Sequence, residues 1–178
     1  MRVLVIIPAK MDSKRLAGKN LKTLNGKTLV EHSIEYAKSS KYNPTIAISS
    51  ESVEVKEVAE RNGVEFLSRP EHLLGDAEVT DVYVQICQTL AEPFDIVVAL
   101  QPDNPNRSNT LDECIDYFIE NNYDDLITIK VGDKMKRSGS VRIFRYRHLR
   151  AGFVSRRIGC MKDDATDIHT EEDLNSIL

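Results

Sequence analysis

Residues 8–20 read PAKMDSKRLAGKN, with four cations, Lys10, Lys14, Arg15 and Lys19, against one acid, Asp12. Ser13, Gly18 and Asn20 lie among them. Ammonium groups, backbone N–H groups and short side-chain donors in one loop are the parts that surround a polyphosphate. The competing reading is a solvated basic turn. Two common phosphate motifs are excluded. A dinucleotide fingerprint needs three spaced glycines after a strand, and this loop has one, which disfavours a dinucleotide-binding oxidoreductase. Gly26-Lys27-Thr28 mimics the end of a Walker A loop, but Leu21 stands where the earlier glycine is required.

The loop follows an apolar run, and that run belongs to a pattern. Residues 2–7, 45–48, 94–100 and 126–131 read as strands buried on both faces. Between them, Val79, Val82, Tyr83, Ile86, Cys87 and Leu90 recur at helical steps, as do Leu111, Cys114, Ile115, Phe118 and Ile119. Leu29, Val30, Ile34 and Ala37 make a weaker helix, and Val55, Val58 and Ala59 another that stops at Asn62-Gly63. Residues 139–147 alternate Val141 and Ile143 with Arg142 and Arg145, as an edge or antiparallel strand would. Thr170 starts a short last helix with Leu174, Ile177 and Leu178 on its apolar side. Strands alternating with helices predict an α/β fold, a Rossmann-like three-layer α/β/α arrangement with a mostly parallel twisted sheet and one antiparallel strand. Ligands of such sheets bind outside the carboxyl ends of the strands, where the basic loop emerges.

The bulk composition narrows the function. The chain of 178 residues has 41% hydrophobic and 29% charged content, which suits one domain with a substantial core. A net charge of −4 argues against a general grip on nucleic acid or an anionic membrane, so any anion site must be local. Cys87, Cys114 and Cys160 lack metal-type spacing, and the first two fall on apolar helix faces. A reduced compartment fits best. No apolar stretch approaches the roughly 20 residues of a membrane span, and Met1 leads into a strand rather than a signal peptide. The expectation is a soluble cytoplasmic protein with no nucleic acid and no membrane partner.

The stretch Ile7-Pro8-Ala9-Lys10, Ser13-Lys14 and Lys19-Asn20-Leu21 resembles the signature of the cytidylyltransferases that make CMP-activated acidic sugars, the CMP-sialic acid and CMP-Kdo synthetases. Five more segments resemble that family in order. They are Asn25-Gly26-Lys27-Thr28-Leu29, Ile48-Ser49-Ser50-Glu51-Ser52, Arg69-Pro70 through Leu74-Gly75-Asp76, Leu100 through Arg107, and Asp167-Ile168-His169-Thr170. The resemblance covers nearly the whole chain and implies a fold of the nucleotide-diphospho-sugar transferase type. It also implies transfer of CMP from CTP to a small acidic sugar or similar acceptor, with release of pyrophosphate.

By that resemblance Lys10 and Lys19 hold the β- and γ-phosphates, and Ser13 and Asn20 donate to phosphate oxygens beside Pro8 and Ala9. Lys14 and Arg15 receive no phosphate role and keep the plain reading of solvated cations. Arg69 and Thr80 lie by the pyrimidine. Their plain alternatives are a pairing of Arg69 with a nearby acid and packing of Thr80 within a helix. Gln101, Asn104 and Arg107 are candidate acceptor contacts, with Gln101 also at the nucleotide and Arg107 facing either an acceptor carboxylate or phosphate or nothing. The cofactor implied is Mg²⁺, with Mn²⁺ as an alternative. The sialic acid group takes both metal carboxylates from the late motif, where this chain has Asp167 and His169. The Kdo group uses an aspartate after the central strand, and Asp103 occupies that place. Asp103 with Asp167 is therefore the expected pair, with His169 at the edge. Residues 1–178 read as a single nucleotidyltransferase domain lacking most of the family's dimerising and sugar-binding insertion, and homodimerisation stays open. Other readings keep the fold with a phosphonate, phosphosugar or molybdopterin acceptor or another triphosphate, or bind a nucleotide without turnover.

Overall fold

The computed structural model describes residues 1–178 except 14, 91, 133, 154 and 178. Lys14, read as a solvated cation, and Leu178, read on the apolar side of the last helix, lie outside the described residues. The first strand, β1 (Val3–Pro8), is buried at every position. A short 3-10 turn (Lys19–Leu21) and the paired strands β2 (Thr23–Leu24) and β3 (Lys27–Thr28) lead into α1 (Leu29–Lys38). Then come β4 (Thr45–Ser50), α2 (Val53–Arg61), β5 (Glu65–Ser68), α3 (Val79–Thr89), β6 (Ile96–Ala99) and α4 (Leu111–Glu120). The remaining elements are β7 (Asp125–Val131), β8 (Met135–Arg145), α5 (Tyr146–Arg150), β9 (Ile158–Lys162) and α6 (Glu171–Asn175).

Seven strands form one sheet in the order β5-β4-β1-β6-β8-β7-β9. β8 runs antiparallel to β6 and β7, and the other pairings are parallel. The antiparallel strand expected near residues 139–147 is therefore present, but it is interior rather than at an edge, and Tyr146 and Arg147 belong to α5. The actual edges, β5 (EFLS) and β9 (IGCMK), are too short and mixed to announce themselves as apolar runs. Gly26-Lys27-Thr28 is part of the β2–β3 turn, where Asn25 and Gly26 both have positive φ, 50° and 79°. Asn-Gly is the pair that such tight hairpins favour.

Side-chain alternation along the strands divides the core into two layers. Val3, Val5 and Ile7 pack with Val30, Ile34, Val55, Val58, Cys114 and Phe118 from α1, α2 and α4. Leu4 and Ile6 pack on the opposite face with Val82, Tyr83, Ile86 and Leu149 from α3 and α5. A third cluster of Leu16, Leu24, Leu29, Ile168 and Leu174 ties the basic loop and the β2–β3 turn to the segment before α6. Reciprocal capping boxes, Thr28 with Glu31, Thr110 with Glu113 and Thr170 with Asp173, fix the starts of α1, α4 and α6. The chain leaves β1 toward β4 on one side and returns to β6 on the other. The strand order thus reverses between β1 and β6, which opens a crevice beyond their carboxyl ends.

Candidate functional site

The crevice holds a cavity of about 180 Å³ between the loop after β1 and the loop after β6. Pro8, Lys10, Ser13, Lys19, Asn20, Arg69, Gln101 and Asp103 line it, so eight of the residues expected at the site converge there. One wall is apolar, made by Leu73, Ala77, Val79 and Val82. Lys10 donates to the carbonyl of Gly75 at 2.8 Å and approaches Asp12 at 3.5 Å. Asn20 is buried and its side-chain amide donates to the carbonyl of Lys10 at 2.7 Å, which sets the course of the loop. Ala9 is buried behind the cavity, with its N–H on Ser49 and its carbonyl accepting from the Ser50 hydroxyl. Arg69 is buried and donates to the Ser49 carbonyl at 2.9 Å, and burial lowers its pKa. No acid pairs with it among the described residues.

At the rim of this cavity Asp103, Asp167 and His169 bring ligand atoms within 4.8 Å of one another. Lys19 holds Oδ2 of Asp103 at 2.5 Å, whereas Oδ1 is buried with no hydrogen-bond partner among the described residues. His169 Nε2 lies 2.8 Å from Asp167 Oδ2, and its Nδ1 is buried without a partner. The pKa of Asp167 is raised, first by burial and then by the charge of Asp103, against the opposing pull of His169, Lys19 and Arg15. Two carboxylates that repel, one with an orphaned buried oxygen, fit a hard divalent cation, which takes one or two carboxylates plus substrate phosphates. The imidazole would sit more comfortably with Mn²⁺ than with Mg²⁺.

A second cavity of about 260 Å³ adjoins the first, sharing Val79 and Gln101. Arg137, Ser138, Gly139, Arg142 and Asp167 also line it. Arg142 is held in two contacts by Asp125, at 3.2 and 2.8 Å. The guanidinium of Arg137, an exposed residue paired through the ladder with Ile129, has no polar partner among the described residues. Gly139 is in close approach here rather than at a special φ: a Cβ would lie 2.5 Å from Oε1 of Gln101 and 3.1 Å from Oδ1 of Asn104, so a larger residue would displace the Gln101 side chain.

Two expected acceptor contacts and one nucleotide contact fall elsewhere. The guanidinium of Arg107 turns inward and donates to the carbonyls of Gln101 at 2.8 Å and Ser140 at 3.0 Å, and to the Ser33 hydroxyl at 3.3 Å. It stacks 4.8 Å from the Tyr36 ring centroid, and burial pushes its pKa down to about 10. Arg107 therefore braces the loop that carries Gln101 instead of meeting an acceptor. Asn104 is 1% exposed and donates to the Thr166 carbonyl at 3.2 Å, so it too serves the loop. Thr80 lines a separate cavity with Asp81, Phe144 and His148, because one helical step past Val79 turns it away from the crevice. Sequence reasoning assigned no role to Arg137 and Arg142; the one cue in the sequence is an arginine two residues before Gly139.

Comparison with known proteins identifies the family and the fold. A family model described as Cytidylyltransferase matches residues 4–152. CMP-N,N'-diacetyllegionaminic acid synthase of Legionella pneumophila is 35% identical over 112 residues, covering 60% of this chain and 48% of that protein. The 3-deoxy-manno-octulosonate cytidylyltransferase of Francisella philomiragia is 36% identical over 102 residues, 57% of this chain and 39% of that protein. The chain thus spans about half, or less, of these curated relatives' length. Among solved structures, a CMP-2-keto-3-deoxy-manno-octonic acid synthetase complexed with CTP superposes with a TM-score of 0.81 at 15% identity, over 99% of this chain and 97% of that one. A cytidylyltransferase from Leptospira borgpetersenii superposes at 0.73 with 22% identity, over 97% of this chain and 83% of that one. These superpositions establish the α/β fold.

Proposed function

Since the chain belongs to the cytidylyltransferase family, we propose that it transfers CMP from CTP to a small acidic 2-keto-3-deoxy sugar with release of pyrophosphate. The observation that carries this reading is the pair of adjoining cavities joined at Gln101, one lined by Lys10 and Lys19 and bordered by Asp103 and Asp167, the other by Arg137. The triphosphate lies along the basic loop, with Lys10 and Lys19 on its β- and γ-phosphates. The cytosine rests on the Leu73, Ala77, Val79 and Val82 wall beside Arg69. The acceptor occupies the second cavity, with its carboxylate on the unpaired Arg137 and its hydroxyls near Gln101 and Ser138.

The reaction needs alignment more than covalent help from the protein. The acceptor hydroxyl oxygen bonds to the α-phosphorus and its proton is lost to water. The bond from the α-phosphorus to the bridging oxygen breaks, and pyrophosphate leaves toward the lysines. Asp103 and Asp167, with His169 at the side, would hold a divalent metal, whose contribution is to neutralise charge gathered on the phosphates. Mg²⁺ is the proposed ion. We read residues 1–178 as one nucleotidyltransferase unit with a reduced acceptor side, because only residues 132–134 connect β7 to β8. The cytoplasm, where CTP is available, is the proposed setting.

The test is pyrophosphate release by the purified chain with Mg²⁺, each of the four ribonucleoside triphosphates, and a panel of 2-keto-3-deoxy acids. Release with CTP and a keto-deoxy acid, and little with the other triphosphates, is expected. Release only with phosphosugars or phosphonates would reject the acceptor class. CTP binding without release from any acceptor would reject turnover.

A further inference from the structure

Asp103 and Asp167 sit on two loops that strand pairing does not join. The loops are laced together all the same, mostly by side chains standing in for a main-chain ladder. Asn109 donates from its amide to the Lys162 carbonyl at 2.7 Å. Ser108 donates to Oδ1 of Asp163 from its N–H at 3.1 Å and its hydroxyl at 2.8 Å, and that hydroxyl accepts from the N–H of Asp164 at 2.7 Å. The N–H of Thr166 donates to Oδ1 of Asn106 at 2.8 Å, and Asn106 returns a bond to the Thr166 hydroxyl at 3.2 Å. The last rung is the N–H of Ile168 on the carbonyl of Asp103 at 2.9 Å. As the residue number falls on one loop it rises on the other, so residues 103–109 and 162–168 run antiparallel.

Asp163 is the fixed point of this lacing. It is 0% exposed, and its carboxylate accepts from Ser108, from the N–H of Ala165 at 2.9 Å and from the Ser140 hydroxyl. The Ser140 carbonyl accepts from Arg107, which also holds Gln101. One buried anion thus joins the loop after β6, the irregular stretch of β8 beside Gly139 and the segment that presents Asp167. A carboxylate that is fully buried and hydrogen-bonded on both oxygens is costly to place and rigid once placed.

We infer that Asp163 is a positioning residue: by anchoring residues 162–168 to residues 103–109 it sets the separation of Asp103 and Asp167, and with it the divalent-metal site. The inference rests on the metal reading above. Partners that orient metal ligands change metal affinity by about 10- to 100-fold when removed. Asp163→Asn keeps the shape and removes the anion. Two readouts apply: amide hydrogen exchange at Ile168, which needs no metal, and Mn²⁺ affinity by electron paramagnetic resonance with CTP present. The inference expects at least about tenfold faster exchange at Ile168 and about tenfold weaker Mn²⁺ binding, with β1 amide protection and metal-free CTP affinity unchanged. Should Asp163→Asn fail to fold, Ser108→Ala and Asn106→Ala, at exposed positions, carry the same expectation in smaller steps of a few-fold. Unchanged Ile168 exchange in the folded variants overturns the inference. Absence of Mn²⁺ binding by the parent chain would instead reject the metal reading, and Ile168 exchange would still decide the lacing.

Discussion

Asp103 has two unlike oxygens, one held by Lys19 at 2.5 Å and one buried without a partner among the described residues. If the bare oxygen is a metal position, Asp103→Asn and Asp167→Asn should each lower turnover by at least about 100-fold with the fold intact, since the loss is of charge stabilisation at the reacting phosphates. His169→Ala should cost far less, and steady-state rates against metal concentration check the order. Gly139→Ala forces a Cβ into the end of the Gln101 side chain. That side chain can swing, so melting should barely move while the acceptor's kcat/KM falls by about tenfold or more. Arg107→Lys separates the two readings of that residue. A brace predicts about 3 kcal/mol of lost stability by denaturant titration, because one ammonium cannot serve both carbonyls and Ser33. An acceptor contact predicts a raised KM instead. At this scale the sequence pointed to Lys10, Lys19, Asp103 and Asp167 by type and order, and the fold brings them to one crevice. For Arg107 a motif states which residue is present but not which way the side chain turns, and the structure turns it inward.

Elements were legible where one physical signal dominated. Apolar runs marked β1, β4, β6 and β7, and helical period marked α1 to α4. β5 and β9 were invisible because an edge strand carries polar residues on its open side, and β8 looked like an edge because its alternating arginines pair with Asp125 or reach Tyr123 rather than solvent. The start of α1 offers a pH test. Burial raises the Glu31 carboxyl, but hydrogen bonds from the Thr28 backbone and hydroxyl and from Arg61 outweigh it and hold the pKa at about 2, below the ordinary 4.5. The unfolded chain therefore takes up the proton first, so this stabilisation is complete above pH 4.5 and is lost as pH falls toward 2. Glu31→Gln should cost about 1 kcal/mol at neutral pH, and the gap from the parent should close in acid, as followed by thermal melts across pH.

The whole molecule carries a net charge of −4, yet its cations gather where the strand order reverses between β1 and β6. Under the proposed function, that local concentration of positive potential is what receives a triphosphate on a molecule of net negative charge. Fold class was readable from alternation alone, and the crevice from the rule that places ligands at such reversals. The second cavity was not readable, because it depends on a three-residue irregularity in the β7–β8 register near Gly139 that no periodicity announces. The most direct measurement is transfer of label from CTP radiolabelled at the α-phosphate to a 2-keto-3-deoxy acid in the presence of Mg²⁺. The proposed function predicts labelled CMP-sugar and pyrophosphate in equal amounts, both abolished by Asp167→Asn. CTP bound in the crevice with no label transferred to any keto-deoxy acid would contradict it.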